Sequence, residues 1–466
     1  MNVIIIGDGK VGFTLAEQLS YDESNAVTII DKNANALRHT MERLDVRCLK
    51  GNGASAEVLK NAGIEEADLL IAATSMDEMN MVCALTGKTL GARQTIARIR
   101  DPEYANEVDR LKEVFGLSMV INPEQALAGE IVKMLEYPNA AQVEMFAKGR
   151  VELLEIPVAE GGGLAYMSMR RIAKRISRDI LIGAVLRDGA AIIPKGDFLL
   201  LPGDKIYVLG RHARVSAFCR KIGIKQDKMH DVMLVGGGRV AYYLAHYLDE
   251  IGVKVKVVEQ DSARCQLLAE LLPRAVIIAG DGSDESVLME EQLSEMDGFA
   301  ALTGMDEENL MAALIAERAG VPRTVAKINR QNYIDILGAK GVKNLVSPKE
   351  ITVNYILRYV RGLKNAVGNP VDALYRIVDD QLEAIEIYVE HPVRILDIPL
   401  KKLDIADNVL VAVIVRGNTV IIPHGDDSVQ LHDRVILFAA RGMEIANLDD
   451  ILLPVLDDTL GEELPL

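Results

Sequence analysis

Val3-Ile4-Ile5-Ile6-Gly7-Asp8-Gly9-Lys10-Val11-Gly12 lies at the start of the chain, and Val232-Met233-Leu234-Val235-Gly236-Gly237-Gly238-Arg239-Val240-Ala241 repeats its plan 229 residues later. In each, an apolar run meets a glycine-rich turn and then an amphipathic stretch, so a buried strand is predicted to turn directly into a helix. Gly7 permits the tight turn, Gly9 lets the backbone approach a pyrophosphate, and Gly12 lets the helix pack closely on the strand. The helix N-terminus then offers free N–H groups and the positive end of its dipole to an anion, with Lys10 able to add charge. The same offset carries Asp68 to Asp297, Thr74 to Thr303, Asp77 to Asp306 and Pro194 to Pro423, which identifies a tandem duplication.

Working outward, short apolar runs recur at Val27 to Ile30, Val46 to Leu49, Leu69 to Ala73 and Thr95 to Ile99, separated by helical stretches. The second half repeats them at Val255 to Val258, Val276 to Ala279, Phe299 to Leu302 and Thr324 to Ile328. Short strands buried on both faces and alternating with helices predict an α/β doubly wound parallel sheet of the Rossmann-like type, twice. After each comes a smaller stretch of hairpin character. Asp188-Gly189 and Gly417-Asn418 mark tight turns between short strands, and a helix is predicted over 166–176. The expected domains are 1–140 and 226–368 for the two Rossmann-like units, 141–225 and 369–455 for two small α+β domains, and 456–466 for an acidic tail.

Asp31 closes the second strand of the first copy, 19 residues beyond Gly12, and Glu259 closes its counterpart. A carboxylate there accepts hydrogen bonds from both adenosine ribose hydroxyls and repels a 2′-phosphate, favouring NAD over NADP; the alternative is that Asp31 caps the following helix. Gly51-Asn52-Gly53 and Gly280-Asp281-Gly282 follow the third strands and should line the adenine side, with Asp281 the more polar variant. Thr74 and Thr303 end the fourth strands, at the carboxyl edge where open α/β sheets bind ligands. Asp77-Glu78 and Asp306-Glu307 read as helix caps, with a cation site as the alternative. Arg98 and Lys327, after the fifth strands, can reach a phosphate or serve as solvated or interface cations.

A net charge of −16 argues against a nucleic-acid partner, because phosphate contacts need clustered Lys and Arg. The four cysteines form no C-x-x-C pair and the seven histidines no H-x-x-x-H, so neither a disulfide frame nor a metal site is expected. No stretch approaches the roughly 20 apolar residues that span a bilayer. With a strand starting by Val3, no signal peptide is expected, and the cytoplasm is the default location. No G-x-S-x-G, no Walker sequence and no paired catalytic His and Asp occur, and each α/β unit leaves too little chain for a substrate domain. Binding without turnover is the expectation; an NAD-dependent oxidoreductase with duplicated Rossmann domains is the alternative, and a soluble nucleotide sensor for some other partner is the third reading.

Gly7-x-Gly9-x-x-Gly12, Asp31, Gly51-x-Gly53, the run from Asp68 through Thr74, Ser75, Asp77 and Asn80, and Ala97-Arg98-Ile99-Arg100-Asp101-Pro102 closely resemble the TrkA family of Trk-system potassium uptake proteins. The resemblance covers nearly the whole chain, including the duplicated order of nucleotide-binding and TrkA-C-type domains. It implies a peripheral regulatory subunit built from domains that regulate potassium conductance. Such a subunit sits on the inner face of the cell membrane as a homo-oligomeric, tetrameric ring, beneath a membrane-embedded potassium-translocating partner of TrkH/TrkG type. It also implies nucleotide contacts from Gly7, Gly9, Val11, Asp31, Thr74, Ser75 and Arg98 in the first site, and from Gly236, Gly238, Val240, Glu259 and Thr303 in the second. The implied cofactors are NAD (NAD+ or NADH) in the first site and NAD or ATP/ADP in the second. Here Ala241 replaces the third glycine, Glu259 replaces Asp and Gly304 stands at the position of Ser75, so ligand identity at the second site stays open.

Overall fold

The computed structural model describes residues 1–453 except 23, 106, 138–142, 148, 178, 225–227, 340–343, 365–370, 379, 380, 442, 444 and 446; the acidic tail at 456–466 lies outside the described residues. The first copy runs β1 (Asn2–Ile6), α1 (Lys10–Ser20), β2 (Ala26–Asp31), α2 (Ala34–Met41), β3 (Arg47–Lys50), α3 (Ala56–Asn61), β4 (Leu69–Ala72), α4 (Asp77–Leu90), β5 (Gln94–Arg98), α5 (Pro102–Ala105), α6 (Val108–Phe115), β6 (Met119–Ile121) and α7 (Pro123–Glu136). The first small domain follows as β7 (Val143–Phe146), β8 (Val151–Pro157), α8 (Met169–Arg175), β9 (Ile180–Arg187), β10 (Ala190–Ile192), β11 (Lys205–Gly210) and α9 (His212–Lys221).

The second copy is β12 (Asp231–Val235), α10 (Arg239–Glu250), β13 (Lys254–Glu259), α11 (Ser262–Leu271), β14 (Val276–Ala279), α12 (Glu285–Glu290), β15 (Gly298–Ala301), α13 (Asp306–Arg318), β16 (Thr324–Lys327), α14 (Gln331–Ala339), β17 (Leu345–Val346) and α15 (Pro348–Lys364). The second small domain is β18 (Val371–Ile377), β19 (Leu382–Tyr388), β20 (Val409–Arg416), β21 (Thr419–Ile421) and β22 (Arg434–Ala440).

Each α/β copy is a six-stranded sheet, in orders β3-β2-β1-β4-β5-β6 and β14-β13-β12-β15-β16-β17, with every described pairing parallel. The order reverses between the first and fourth strands, which opens a crevice at their carboxyl ends. The sixth strands, β6 and β17, are two additions to the sequence reading. They are only three and two residues long, too short for a hydrophobic period to register. The two small-domain sheets are antiparallel and share one order, β10-β9-β11-β8-β7 and β21-β20-β22-β19-β18. The helix expected over 166–176 is shorter, α8, because Ser168 caps it by accepting from the Arg171 N–H.

The described residues gather into two compact units, one within 1–137 and 228–357, the other within 143–224 and 358–453. In the first, α7 leaves the first copy and lays Leu127, Ala128, Ile131 and Leu135 into one core with Val232, Leu234, Val240, Leu244, Val255 and Val257 of the second. All four α7 side chains are fully buried. At about 1.5–3 kcal/mol for each large side chain, this face is a main support of the second sheet. In the other unit the two antiparallel sheets share a core in which Phe146, Leu153, Ala184, Tyr207 and Leu209 meet Ile377, Leu382, Ala412, Val413, Ile436 and Phe438. The Tyr375 hydroxyl donates to the Met145 carbonyl at 3.1 Å, and the Ala147 N–H to the Glu386 carboxylate at 3.0 Å.

The Asp188-Gly189 turn joins β9 to β10 with both residues at positive φ, 50° and 77°, as a primed two-residue turn requires. Arg187 then grips the buried Asp204 with two parallel bonds of 2.7 Å, and Arg416 repeats this on Asp433 at 2.9 and 2.8 Å. Burial pushes the Asp204 carboxyl up, but the Arg187 bonds and the Leu201 N–H outweigh it and hold it below the usual range. Its stabilisation is therefore present above the unfolded value near pH 4 and is lost as pH falls through the lower folded value. Replacing Asp204 with Ala should cost about 3 kcal/mol, the scale of stranding one partner of a buried pair, and should remove that acid limb from urea titrations run at stepped pH.

Candidate functional site

Gly7, Asp8, Gly9, Lys10, Val11, Asp31, Thr74, Ser75 and Arg98 line one cleft of about 590 Å³ at the carboxyl edge of the first sheet, together with Gly51, Asn52 and Gly53. Gly7 has φ +102°, and a Cβ there would meet the Ala73 and Thr74 backbone at 3.0 Å. Gly12 faces away from the opening: a Cβ on it would lie 1.8 Å from the Gly7 carbonyl oxygen, so the glycine sets how closely α1 approaches β1. Gly9 is the N-cap of α1, makes no side-chain cap bond and has open space where a Cβ would stand. That leaves room for an anion at the positive end of the helix.

Asp31 is held from behind. Its carboxylate accepts from the Asp8 N–H at 2.6 Å and the Asn33 N–H at 2.7 Å. The helix-cap alternative falls to Asn33, whose side chain accepts from the Asn35 and Ala36 N–H groups at the start of α2. The Asp8 side chain turns to Thr40, whose hydroxyl donates to its oxygens at 2.9 and 2.7 Å, and burial pushes the Asp8 carboxyl up. Asp8 thus borders the cleft with its N–H and carboxylate both engaged in protein bonds.

Arg98 donates from Nη2 to the Thr74 carbonyl, and its buried Nε has no partner. Burial lowers its pKa, so the solvated-cation alternative does not describe it. An unanswered buried N–H beside Thr74 and Ser75 suits a nucleotide oxygen. The sequence reading named Asn80 as part of a motif but gave no role to this residue, which builds the corner. Asn80 is fully buried, accepts from the Thr74 N–H at 2.8 Å and hydroxyl at 2.7 Å, and donates to the Arg98 carbonyl at 2.8 Å. Its signal was the repeat of Asp77-x-x-Asn80 as Asp306-x-x-Asn309. Asn309 likewise ties the Thr303 N–H and the Lys327 carbonyl, each at 2.8 Å.

Asp77 and Asp306 do not cap α4 and α13; Met76 and Met305 occupy those caps without a side-chain bond. Asp77 instead accepts from the Arg100 and Asp101 N–H groups at 2.8 and 2.9 Å, and Asp306 from Asn329 and Arg330 at the same distances. The carboxylates brace the turn after the fifth strand. Among the described residues no group of three or more His, Cys, Asp or Glu is arranged to hold a metal.

The second site keeps the backbone plan and changes the charges. Gly236 has φ +92° and abuts Thr303 as Gly7 abuts Thr74. Gly237 replaces Asp8, and the longer Glu259 reaches its N–H at 2.7 Å while accepting from the Asp261 N–H at 2.9 Å. Glu259 is buried, unlike the half-buried Asp31. Lys327 turns its Nζ onto the Leu302 carbonyl at 2.9 Å, and burial lowers its pKa. Asp281 folds back on Ser283, whose N–H and hydroxyl donate at 2.9 and 2.7 Å and hold the carboxyl below its usual range. Thr303 donates to Glu308, which stands where the first copy has Met79. Arg239 lies 3.6 Å from Asp101 of the first copy; Gly238 is the N-cap of α10, and Val240 and Ala241 are buried behind it.

Residues 3–123 and 232–348 match the TrkA-N domain family, and residues 153–223 the TrkA-C domain family. The chain is 34% identical over 447 residues to the Trk system potassium uptake protein TrkA homolog 1 of Methanosarcina mazei, covering 94% of this chain and 97% of that protein. It is 33% identical over 461 residues to the Trk system potassium uptake protein TrkA of Haemophilus influenzae, covering 97% and 99%. A solved structure of the GsuK channel bound to NAD superposes with a TM-score of 0.61 at 18% identity, covering 94% of this chain and 77% of that one, a likeness of fold.

The two glycine turns should answer differently to one methyl group. Gly12→Ala forces its Cβ against the Gly7 carbonyl and should cost about 1–3 kcal/mol by overpacking, read as a lowered melting temperature. Ala241→Gly, where the methyl is already accommodated, should cost no more than about 1 kcal/mol, the helix-propensity difference.

Proposed function

The chain belongs to the TrkA family of Trk-system potassium uptake proteins, and on that premise we propose that it is a nucleotide-binding regulatory subunit that gates a membrane-embedded potassium-translocating partner of TrkH/TrkG type. The observation that carries the reading is the first cleft: a glycine turn over an open helix N-terminus, a braced Asp31 for the ribose, and an unanswered Arg98 Nε. These are groups that bind and orient a dinucleotide. NAD fits this cleft, with Asp31 accepting from the ribose hydroxyls and the start of α1 receiving the pyrophosphate. The second site, with its buried Glu259 and engaged Lys327, takes NAD or an adenosine di- or triphosphate. Nucleotide acts by favouring one arrangement of the domains over another and is not consumed. No helix among the described residues is long and apolar enough to cross a membrane, and the proposed location is the cytoplasmic face, docked on the partner.

We further propose a homo-oligomer, in the form of a tetrameric ring. Of the apolar stretch at 310–315, Met311 and Leu314 are exposed on α13 while Ala312 and Ala313 are buried; Val82 and Leu85 are exposed at the matching positions of α4. One chain therefore carries the same apolar stripe twice, on pseudo-equivalent faces, which suits contacts between copies of itself.

Asp31→Ala should weaken NAD by about 1–3 kcal/mol in calorimetry, the scale of a lost charged hydrogen-bond partner. Potassium flux through the reconstituted partner should change with the nucleotide supplied; flux indifferent to adenine nucleotides, or conversion of NADH during the assay, overturns the regulatory reading. Placing Asp at both Val82 and Met311 should lower the mass seen by light scattering, and an unchanged mass removes these stripes as the assembly surface.

A further inference from the structure

Within the nucleotide-binding unit a polar connection runs from the first cleft to the second glycine turn. The Ser75 carbonyl accepts from Arg100 Nη2 at 3.1 Å, and the Arg98 carbonyl from Asn80 at 2.8 Å. With Asp77 bonded to the Arg100 and Asp101 N–H groups, residues 98–101 form one braced turn that begins at a cleft-lining side chain. This turn meets the second copy at two points. The Asp101 carboxylate lies 3.6 Å from Arg239 Nη2, and Asn122, 3.4 Å from the Arg100 carbonyl, donates to the Tyr243 hydroxyl at 2.9 Å. Both partners stand on α10, Arg239 as its first residue and Tyr243 one turn further on.

Among the described residues the reverse connection is not seen. Asp306 braces Asn329 and Arg330 in the same way, but Arg330 is a cation where Asp101 is an anion, and it pairs with Glu307 at 2.9 Å in its own copy. Lys10 holds the position of Arg239, and two cations do not attract. Thr14 stands in place of Tyr243, and Ser347, between β17 and α15, in place of Asn122 between β6 and α7; Ser347 accepts from the Glu350 N–H at 3.4 Å, and among the described residues no hydrogen bond joins it to Thr14. Two copies of one design have thus kept a polar link in a single direction.

We propose that nucleotide in the first cleft antagonises phosphate binding at the second glycine turn, by holding Asp101 on Arg239. Arg239 opens the helix whose N-terminus would receive that phosphate, so an incoming anion and Asp101 compete for one guanidinium. A ligand seated against Thr74, Ser75 and Arg98 restrains the 98–101 turn and with it the position of Asp101. The two sites of one chain are then coupled, and the effect is reciprocal: phosphate at the second site weakens the first by the same factor. This rests on the nucleotide-binding reading above.

The test uses the full chain, titrated calorimetrically with NAD and with ADP, as wild type, Gly9→Val and Gly238→Val. Both glycines are in extended backbone, and a Cβ on either meets nothing within 4 Å, so valine intrudes on the ligand's space and not on the fold. The expected result is a second-site affinity about fivefold weaker in the NAD-filled wild type than in Gly9→Val, whose first site is blocked. Combining Asp101→Asn with Tyr243→Phe should remove that gap while leaving first-site affinity, measured in the Gly238→Val background, unchanged. Equal second-site affinity with the first site filled or blocked overturns the coupling, as does a gap that survives the double substitution. Absence of binding by either nucleotide in the wild type overturns the nucleotide-binding reading itself, and the coupling with it.

Discussion

The burial of α7 against the second copy is the contact on which the nucleotide-binding unit depends. The helix belongs by chain order to the first copy, directly after β6, yet its apolar face packs against α10 and β16 of the second and joins the core that holds β12 and β13. Remove it and the core that α10 begins over the second sheet is opened to water on one side, whereas parallel sheets are buried on both faces. The helix start is fixed as firmly as its face. Asn122 caps it by accepting from the Gln125 N–H at 3.0 Å while its amide reaches Tyr243, so the end of the first sheet and the beginning of α10 share one side chain. The two sites are therefore placed relative to each other by packing, not by a linker.

Most of the local structure was legible in the sequence because it is dictated locally. Val3 to Ile6 cannot be other than a buried strand, and Gly7, Gly9 and Gly12 cannot serve one turn without bringing a helix N-terminus to a sheet edge. Asp31, Thr74 and Arg98 could be placed by counting along that frame. The destination of α7 could not. Leu127, Ala128, Ile131 and Leu135 announce a buried face, but a helical period says nothing about which of two near-identical sheets it covers. The work of Asn80 and of Asp77 was missed for a related reason. Asp77 is bonded to the Arg100 and Asp101 N–H groups and Asn80 to Thr74 and the Arg98 carbonyl, and such largely backbone partners leave no residue-type signature.

The differences between the sites are chemical and not architectural. The main-chain path is nearly the same, down to the positive φ of Gly7 and Gly236 and the asparagine that ties the fourth strand to the fifth. What has changed is which charges are present and how deeply they are buried. In both, the cation donates to a carbonyl and the acid accepts two N–H bonds; the first site adds a free buried Nε on Arg98, whereas the second buries its acid, Glu259, and adds Glu308 where Met79 was.

Fusion of the two copies into one chain has a consequence for what could diverge. In a symmetric dimer of a half-length protein, every contact occurs twice, so a carboxylate facing an arginine at one end of the interface is matched by the same pair at the other. Joining the halves lifts that obligation. Asp101 can stand beside Arg239 while the equivalent positions, Arg330 and Lys10, both hold cations. The tether also keeps the interface formed at any protein concentration, so neither half needs residues that guard against dissociation. One half was left free to specialise as an input and the other as the surface that input addresses.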